Sequence, residues 1–287
     1  MVSNEGGRLY VVATPIGNLG DITLRAIEVL REVDLVAAED TRHSGRLLDH
    51  LGIQRPLFAL HEHNETAAGE RLLGRLRQGA RIALVSDAGT PLISDPGFPL
   101  VRACRAAGIP VIAVPGPSAL VAALSVSGLP TDRFRFEGFP PRRQAARVAA
   151  FEGLRVETAT LVFYEASHRI LETLQDMAAV FGAGREAVLA RELTKRHETV
   201  RQDTLGALAD WVAEDPDQRR GEFVLLLAGA PAGTGPEAAQ LDALLVPLLE
   251  ELPLRQAVRL AERISGLRRN LVYQRALELA PEQIDPT

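Results

Sequence analysis

Cysteine is nearly absent from this chain: Cys104 is the single one among 287 residues. One thiol excludes an internal disulfide framework and any zinc site built on cysteine pairs, and it suits a reducing, cytoplasmic setting. A basic stretch followed by an apolar segment is missing near the start, so no secretory signal is expected. Long apolar runs are lacking as well. The most apolar window, Val111 to Leu129, is broken by Pro115-Gly116-Pro117 and three serines, which argues against a membrane span. Lysine is as scarce as cysteine. Of the 32 basic residues one, Lys195, is lysine, which leaves 31 arginines. There is no excess of positive charge either. A formal net charge of -5 excludes a uniformly basic nucleic-acid coat but leaves local patches open.

What is present is ordinary globular material, with 46% apolar and 24% charged residues. The length is about twice that of a typical domain, so two domains and an appendage are expected. From residue 8 to 130 short apolar runs (Leu9 to Ala13, Asp34 to Ala38, Arg81 to Val85, Val111 to Val114) alternate with amphipathic stretches. That alternation predicts an α/β domain with a mainly parallel sheet. Turn residues at Gly128 to Asp132 mark a boundary. A second α/β domain follows over 131–230, ending in the strand Glu222 to Leu227. Ala230 to Glu237 reads as a flexible linker. Residues 238–280 read as purely helical, the last two helices joined by Ser265-Gly266-Leu267-Arg268-Arg269 in a helix-turn-helix-like tail. Arg255, Arg259, Arg263, Arg268, Arg269 and Arg275 would give it a basic face. A hairpin that only covers the second domain is the alternative.

In open α/β sheets, ligands bind outside the carboxyl ends of the strands, so the loops there are where chemistry is expected. Thr14 to Asp21 (TPIGNLGD) has no dinucleotide fingerprint, but Pro15 and Gly17 shape a turn that allows close backbone approach. Ala38 to Ser44 (AEDTRHS) crowds Glu39, Asp40, Arg42 and His43 together. Val85 to Gly97 (VSDAGTPLISDPG) is long, almost free of helix formers and free of lysine and arginine. Such a loop is usually functional, and its carboxylates suit a neutral or cationic ligand rather than a phosphate. Pro115 to Ala119 offers more bare backbone. In the second domain, Phe163 to Arg169 (FYEASHR) and Arg191 to Glu198 (RELTKRHE) follow strands. The latter contains Lys195, a compact ammonium that can lose its proton when partly buried. His61 and His63 lack a surrounding ligand cluster, so no metal site is expected.

Together LYVVATPIGNLGD, AEDTRHSGRLL, LHEHNE, LVSDAGTPLISDPG, VPGPSA, FYEASHR and ARELTKRHE resemble the tetrapyrrole methylase superfamily, the corrin/porphyrin methyltransferases. LRQAVRLAERISGLRRNLVYQRAL resembles the tail of its ribosomal RNA branch. The resemblance runs from about residue 8 to 280. It implies two α/β domains with S-adenosylmethionine (SAM) in the cleft between them, and a homodimer. It implies cofactor contacts from Pro15, Gly17, Asp87, Ala88, Gly89, Thr90, Pro91, Ile93, Ser94, Ser118 and Ala119. From the second domain it implies Tyr164, Glu165, Ala166 and Leu193.

The activity the resemblance implies is methylation of a cytidine ribose 2′-hydroxyl in small-subunit (16S) ribosomal RNA. The net acidic charge, which makes binding to naked RNA weak and salt-sensitive, predicts a folded or assembled ribosomal target. A 2′-hydroxyl is a poor acid, so a positioned base should help by about 10²–10⁴-fold. The candidates are Lys195, if its pKa is depressed, Glu198, Glu39 and Asp40. Arg42 and Arg169 are candidates for holding phosphates. Arg133, Arg135, Arg142, Arg143, Arg147 and the tail arginines, Arg268 and Arg269 among them, are candidate RNA-docking surfaces. Two rivals are a methylase of a tetrapyrrole or other small molecule, and a non-catalytic RNA-binding protein.

Overall fold

The computed structural model describes residues 6–231 and 236–279. Residues 232–235, half of the expected 230–237 linker, lie outside them. The first lobe runs β1 (Arg8–Val12), α1 (Leu24–Glu32), β2 (Leu35–Ala38), α2 (Thr41–His50), β3 (Leu57–Ala59), α3 (Glu65–Arg77), β4 (Arg81–Val85), α4 (Phe98–Ala106), β5 (Val111–Val114) and α5 (Ala119–Ser127). Its five strands pair in the order β3-β2-β4-β1-β5, all parallel. Every residue of β2 is buried, as expected for a parallel strand covered on both faces. Alternation sorts its side chains. Leu35 and Ala37 join Leu72, Leu76, Leu100 and Cys104 beneath α3 and α4. Val36 and Ala38 join Ala26, Leu30 and Leu48 on the face of α1 and α2. Burial pushes the Cys104 thiol up to about 11, so it serves as a small apolar side chain.

The second lobe runs β6 (Phe134–Gly138), α6 (Gln144–Glu152), β7 (Thr160–Ala166), α7 (Ile170–Phe181), β8 (Glu186–Arg191), β9 (Thr199–Thr204), α8 (Leu205–Glu214) and β10 (Glu222–Leu227). Its order is β6-β7-β10-β8-β9. Only β6 and β7 run parallel; the other three pairings are antiparallel. One face is covered by helices of its own lobe through Phe151, Leu174 and Leu208. The other face, carrying Val162, Val188, Ala190, Val224 and Leu226, is covered by Leu120, Ala123 and Leu124 of α5 and by Ile16. A helix that follows the first sheet therefore lies on the second. This fixes one lobe against the other through apolar burial worth roughly 1.5–3 kcal/mol per large side chain.

Local chemistry places the ends. The Thr23 hydroxyl caps α1 by accepting from the Ala26 amide at 3.1 Å. Thr204 caps α8 through Ala207 at 3.3 Å, each satisfying an otherwise orphaned donor. Sequence periodicity misses β3, a strand of three residues. It also misses β9 (TVRQDT), an edge strand in which Val200 is the one apolar residue.

The tail consists of α9 (Pro236–Glu251), α10 (Leu254–Ser265) and α11 (Arg269–Leu279). These three build a core of their own from Leu241, Leu245, Val258, Ala261, Val272 and Ala276. Arg275 joins α11 to α9 by a two-pronged pair with Asp242, both contacts 2.6 Å. No described helix is long and apolar enough to cross a membrane.

Candidate active site

The loops at the carboxyl ends of β1, β2, β4 and β5 meet the second sheet around one cavity of about 440 Å³, within the range of small-molecule sites. Its floor is tied by backbone. Thr14 and Gly89 exchange amide hydrogen bonds of 2.9 and 3.1 Å. The Thr14 hydroxyl donates to the Ser86 carbonyl at 3.2 Å, and the Thr90 hydroxyl donates to that of Pro117 at 3.0 Å. The loop after β4 then turns through two non-glycine residues in the left-handed region, Leu92 (φ 75°) and Ser94 (φ 71°). Such backbone persists where surrounding contacts over-determine it and clusters at functional sites.

From the first lobe the wall comprises Asp87, Ala88, Gly89, Thr90, Ile93, Ser94, Ser118 and Ala119, with Glu39 beside them. From the second come Tyr164, Glu165, Ala166, Leu193 and Lys195. The cavity thus gathers most of the residues singled out from the sequence, but not all. Pro15, Gly17 and Pro91 do not line it: the two prolines are buried, and Gly17 lies against Lys195 and Thr194. Sequence reasoning missed Ile16, Asp95, Phe139, Ala190, Glu222, Phe223 and Val224. Asp95 had a signal, being the second aspartate of the loop after β4. Strand positions such as Ala190 and Val224 carry none, since a buried apolar strand residue reads as core.

The charge distribution is uneven. Glu39, Asp87 and Asp95 cluster on the first-lobe side. The Asp40 amide donates to Asp87 Oδ1 at 3.0 Å. Burial and the neighbouring Asp87 charge raise the Glu39 pKa. Burial and the Glu39 charge push Asp95 up to about 7. The desolvated carboxylates repel one another, and both effects favour the protonated form.

Across the cavity, Lys195 Nζ donates to Glu192 Oε1 and Glu222 Oε2, both at 2.9 Å. Burial pulls its pKa down, yet the two carboxylates together outweigh burial and leave it above the usual lysine value. The expectation of a depressed lysine is therefore corrected. Glu198 is exposed and accepts from the Thr194 amide at 2.5 Å. Asp40 is outside the cavity lining, capping α2 and paired with Arg42 at 3.0 Å. Hydrogen bonds from Arg42 hold Asp40 down to about 2, far below the range of a useful base.

Of the arginines, Arg42, Arg133, Arg135, Arg142, Arg143, Arg268 and Arg269 are exposed. Two are not. Arg169 is 9% exposed and holds Glu165 at 3.2 Å and the Pro140 carbonyl at 2.6 Å. Arg147 is 1% exposed and is clamped by Asp176 at 2.6 Å. Neither can reach a phosphate, which corrects their reading as RNA contacts. No group of three or more His, Cys, Asp or Glu side chains in metal-holding geometry occurs among the described residues.

Residues 8–209 match the model of the Tetrapyrrole (Corrin/Porphyrin) Methylases, and residues 235–280 match the RsmI C-terminal HTH domain. The Ribosomal RNA small subunit methyltransferase I of Pseudomonas aeruginosa is 58% identical over 276 residues, 96% of this chain and 98% of that protein. The protein of the same name from Escherichia coli O157:H7 is 53% identical, covering 96% of each. Among solved structures, a uroporphyrin-III C-methyl transferase from Thermus thermophilus complexed with S-adenyl homocysteine superposes with a TM-score of 0.54 at 20% identity. That superposition covers 77% of this chain and 97% of that one, and shows the shared fold. The all-parallel first sheet, the mixed second sheet, the cavity between them and the family matches lead to one conclusion: the chain belongs to the tetrapyrrole methylase family, alongside the ribosomal RNA small subunit methyltransferase I proteins.

Proposed function

We propose that this chain is a SAM-dependent methyltransferase of small-subunit (16S) ribosomal RNA. Its acceptor is a cytidine ribose 2′-hydroxyl on the assembled subunit. The observation that carries the reading is the joining, in one chain, of a methylase cavity to a tail that matches the HTH domain model. The cavity residues fit the cofactor. A ligand bearing a sulfonium and an ammonium finds three carboxyl groups, Glu39, Asp87 and Asp95, on one wall. Its apolar parts find Ile16, Ile93, Leu193 and Val224.

When bound, SAM supplies an electrophilic methyl group. The tasks left to the protein are orientation, exclusion of water and removal of the hydroxyl proton. Asp87, with Ala88 and Thr90 beside it on the cavity wall, would hold the amino-acid portion. Tyr164 and Leu193 bound the cavity from the second lobe. Lys195, fixed between Glu192 and Glu222, holds the far rim as a charged strut.

RNA docking falls to the tail and to Arg142 and Arg143. Arg255, Arg259 and Arg263 succeed one another at four-residue intervals on α10, so they lie in one row on its surface. With Arg268 and Arg269 they are exposed, and no described ion pair engages them. With a net acidic chain, such local patches give weak, salt-sensitive binding to naked RNA, so shape in the assembled subunit supplies the rest. A homodimer in the cytoplasm completes the proposal.

The test is transfer of labelled methyl from SAM to small subunits lacking their 2′-O-methyl groups, followed by alkaline digestion. An alkali-resistant methylated dinucleotide is the expected product. Label in a base, or in protein-free RNA as readily as in subunits, would overturn the assignment.

A further inference from the structure

Five carboxyl groups line the cavity: Glu39, Asp87, Asp95, Glu165 and Glu222. Three are occupied. Glu165 is sealed against Arg169 at 3.2 Å and accepts from the Thr173 hydroxyl at 2.5 Å. Glu222 is bound to Lys195 at 2.9 Å and otherwise points to solvent. Asp87 takes the Asp40 amide at 3.0 Å. Glu39 accepts from the Asp87 amide and lies within electrostatic reach of His61, which follows β3. Asp95 differs from all four. It follows the left-handed Ser94, so an energetically costly turn delivers it to the cavity. Among the described residues the Ser86 hydroxyl is the polar neighbour that favours its ionised form, and its charge reaches Tyr164 on the opposite lobe. No cation pairs with it among the described residues.

We propose that Asp95 accepts the proton of the acceptor hydroxyl, and that the cofactor's positive charge, once in the cavity, shifts it fully to the carboxylate that can do so. The proposal rests on the methyltransferase reading above. In the free protein, Glu39 and Asp87 surround Asp95 with negative charge, while Tyr164 and Ser86 offer no compensating cation. The group is then about half protonated near pH 7. A cation placed among these carboxyl groups favours the ionised form. The balance of the step is simple. The hydroxyl oxygen forms its bond to the methyl carbon, the carbon–sulfur bond breaks with its electron pair going to sulfur, and the proton moves to the Asp95 carboxylate. Product release then returns Asp95 to its resting balance between the protonated and ionised forms.

The test combines calorimetry with transfer. Titrating SAM into the protein at pH 7, in two buffers of different ionisation enthalpy, should show release of up to about half a proton in the native chain. Asp95→Asn should bind SAM with no such release, and should transfer methyl about 10²–10⁴-fold more slowly. Asp95→Glu should regain part of the rate, with its rate–pH profile shifted. Bound SAM also reports that each variant is folded. Transfer by Asp95→Asn at the native rate, or unchanged proton release in that variant, would overturn the role of Asp95 and leave the methyltransferase reading intact. A native chain that binds SAM with proton release but methylates no ribose hydroxyl would instead overturn the reading of the acceptor, and the base role with it.

Discussion

The Tyr164 hydroxyl, on the second sheet, accepts a hydrogen bond of 3.1 Å from the amide of Leu120, at the start of α5. This contact crosses from one lobe to the other at the edge of the cavity. Phe136 and Phe139 brace the same ring, with centroids 4.8 and 5.6 Å away. The tyrosine is therefore both wall and tie. Tyr164→Phe keeps the ring and removes the tie, leaving a partly buried amide without its acceptor. A stability loss of about 1–2 kcal/mol is expected in urea melts, with SAM affinity weakened severalfold by calorimetry. Unchanged affinity would show that the tie does not shape the cavity.

Gly17 lies against Lys195, and Gly221 lies against its partner Glu192. A Cβ at position 17 would run into the Lys195 side chain. At 221 the backbone is left-handed (φ +102°), and a Cβ would meet Glu192 Cδ at 2.6 Å, the residue to which Lys195 is paired. Gly221→Ala should cost about 1–3 kcal/mol, and both alanine variants should slow methyl transfer by displacing the lysine. Lys195→Arg should keep more activity than Lys195→Met, because the charge held between Glu192 and Glu222 matters more than a removable proton. If Lys195→Arg instead lost the alkaline limb of the rate–pH profile, a proton-transfer role would have to be restored to Lys195.

Arg147 sits at the other extreme from a docking residue. Its guanidinium is buried against Asp176, which also accepts from Gln144 at 2.9 Å. Arg147→Met leaves Asp176 as a buried, poorly compensated charge. A loss of about 3–5 kcal/mol is expected on denaturation, with subunit binding by the folded fraction unaffected.

The tail arginines should behave in the opposite way. Replacing Arg259 and Arg263 by glutamine leaves the α9–α11 core untouched, since both are exposed. Melting should not change and SAM should bind normally. Affinity for the small subunit should fall, and the slope of log affinity against log salt should drop by about one for each phosphate that is no longer neutralised. An unchanged slope would assign RNA docking elsewhere.

Stability should carry the mark of Asp95. Its folded pKa, about 7, lies above the ordinary aspartate value of 3.8, so the folded state binds more protons than the unfolded state between those values. Its contribution is present at low pH and is lost as pH rises through about 7. The native chain should therefore lose more Tm between pH 5 and 8 than Asp95→Asn does.

Much of this protein was legible in the chain itself. Apolar runs such as Val36 to Ala38 and Arg81 to Val85 announce buried strands, because a strand covered on both faces needs no polar alternation. The loop Val85 to Gly97 declares itself by composition, since few helices tolerate that density of Gly, Pro and Asp. The tail's helical period is equally plain. Pairing and environment were decided elsewhere. Whether Arg147 and Arg169 meet water or carboxylates depends on α7 and β7 folding over them. The pKa of Lys195 depends on Glu222, 27 residues away in the chain but 2.9 Å away in space. Asp95 is one aspartate among many until Glu39 and Asp87, delivered by separate strands, crowd it. Sequence determines which segments become strands, helices and loops, because those are local properties of the backbone and its period. The tertiary structure alone decides which charges share a cavity, because electrostatic coupling follows distance and burial rather than order along the chain.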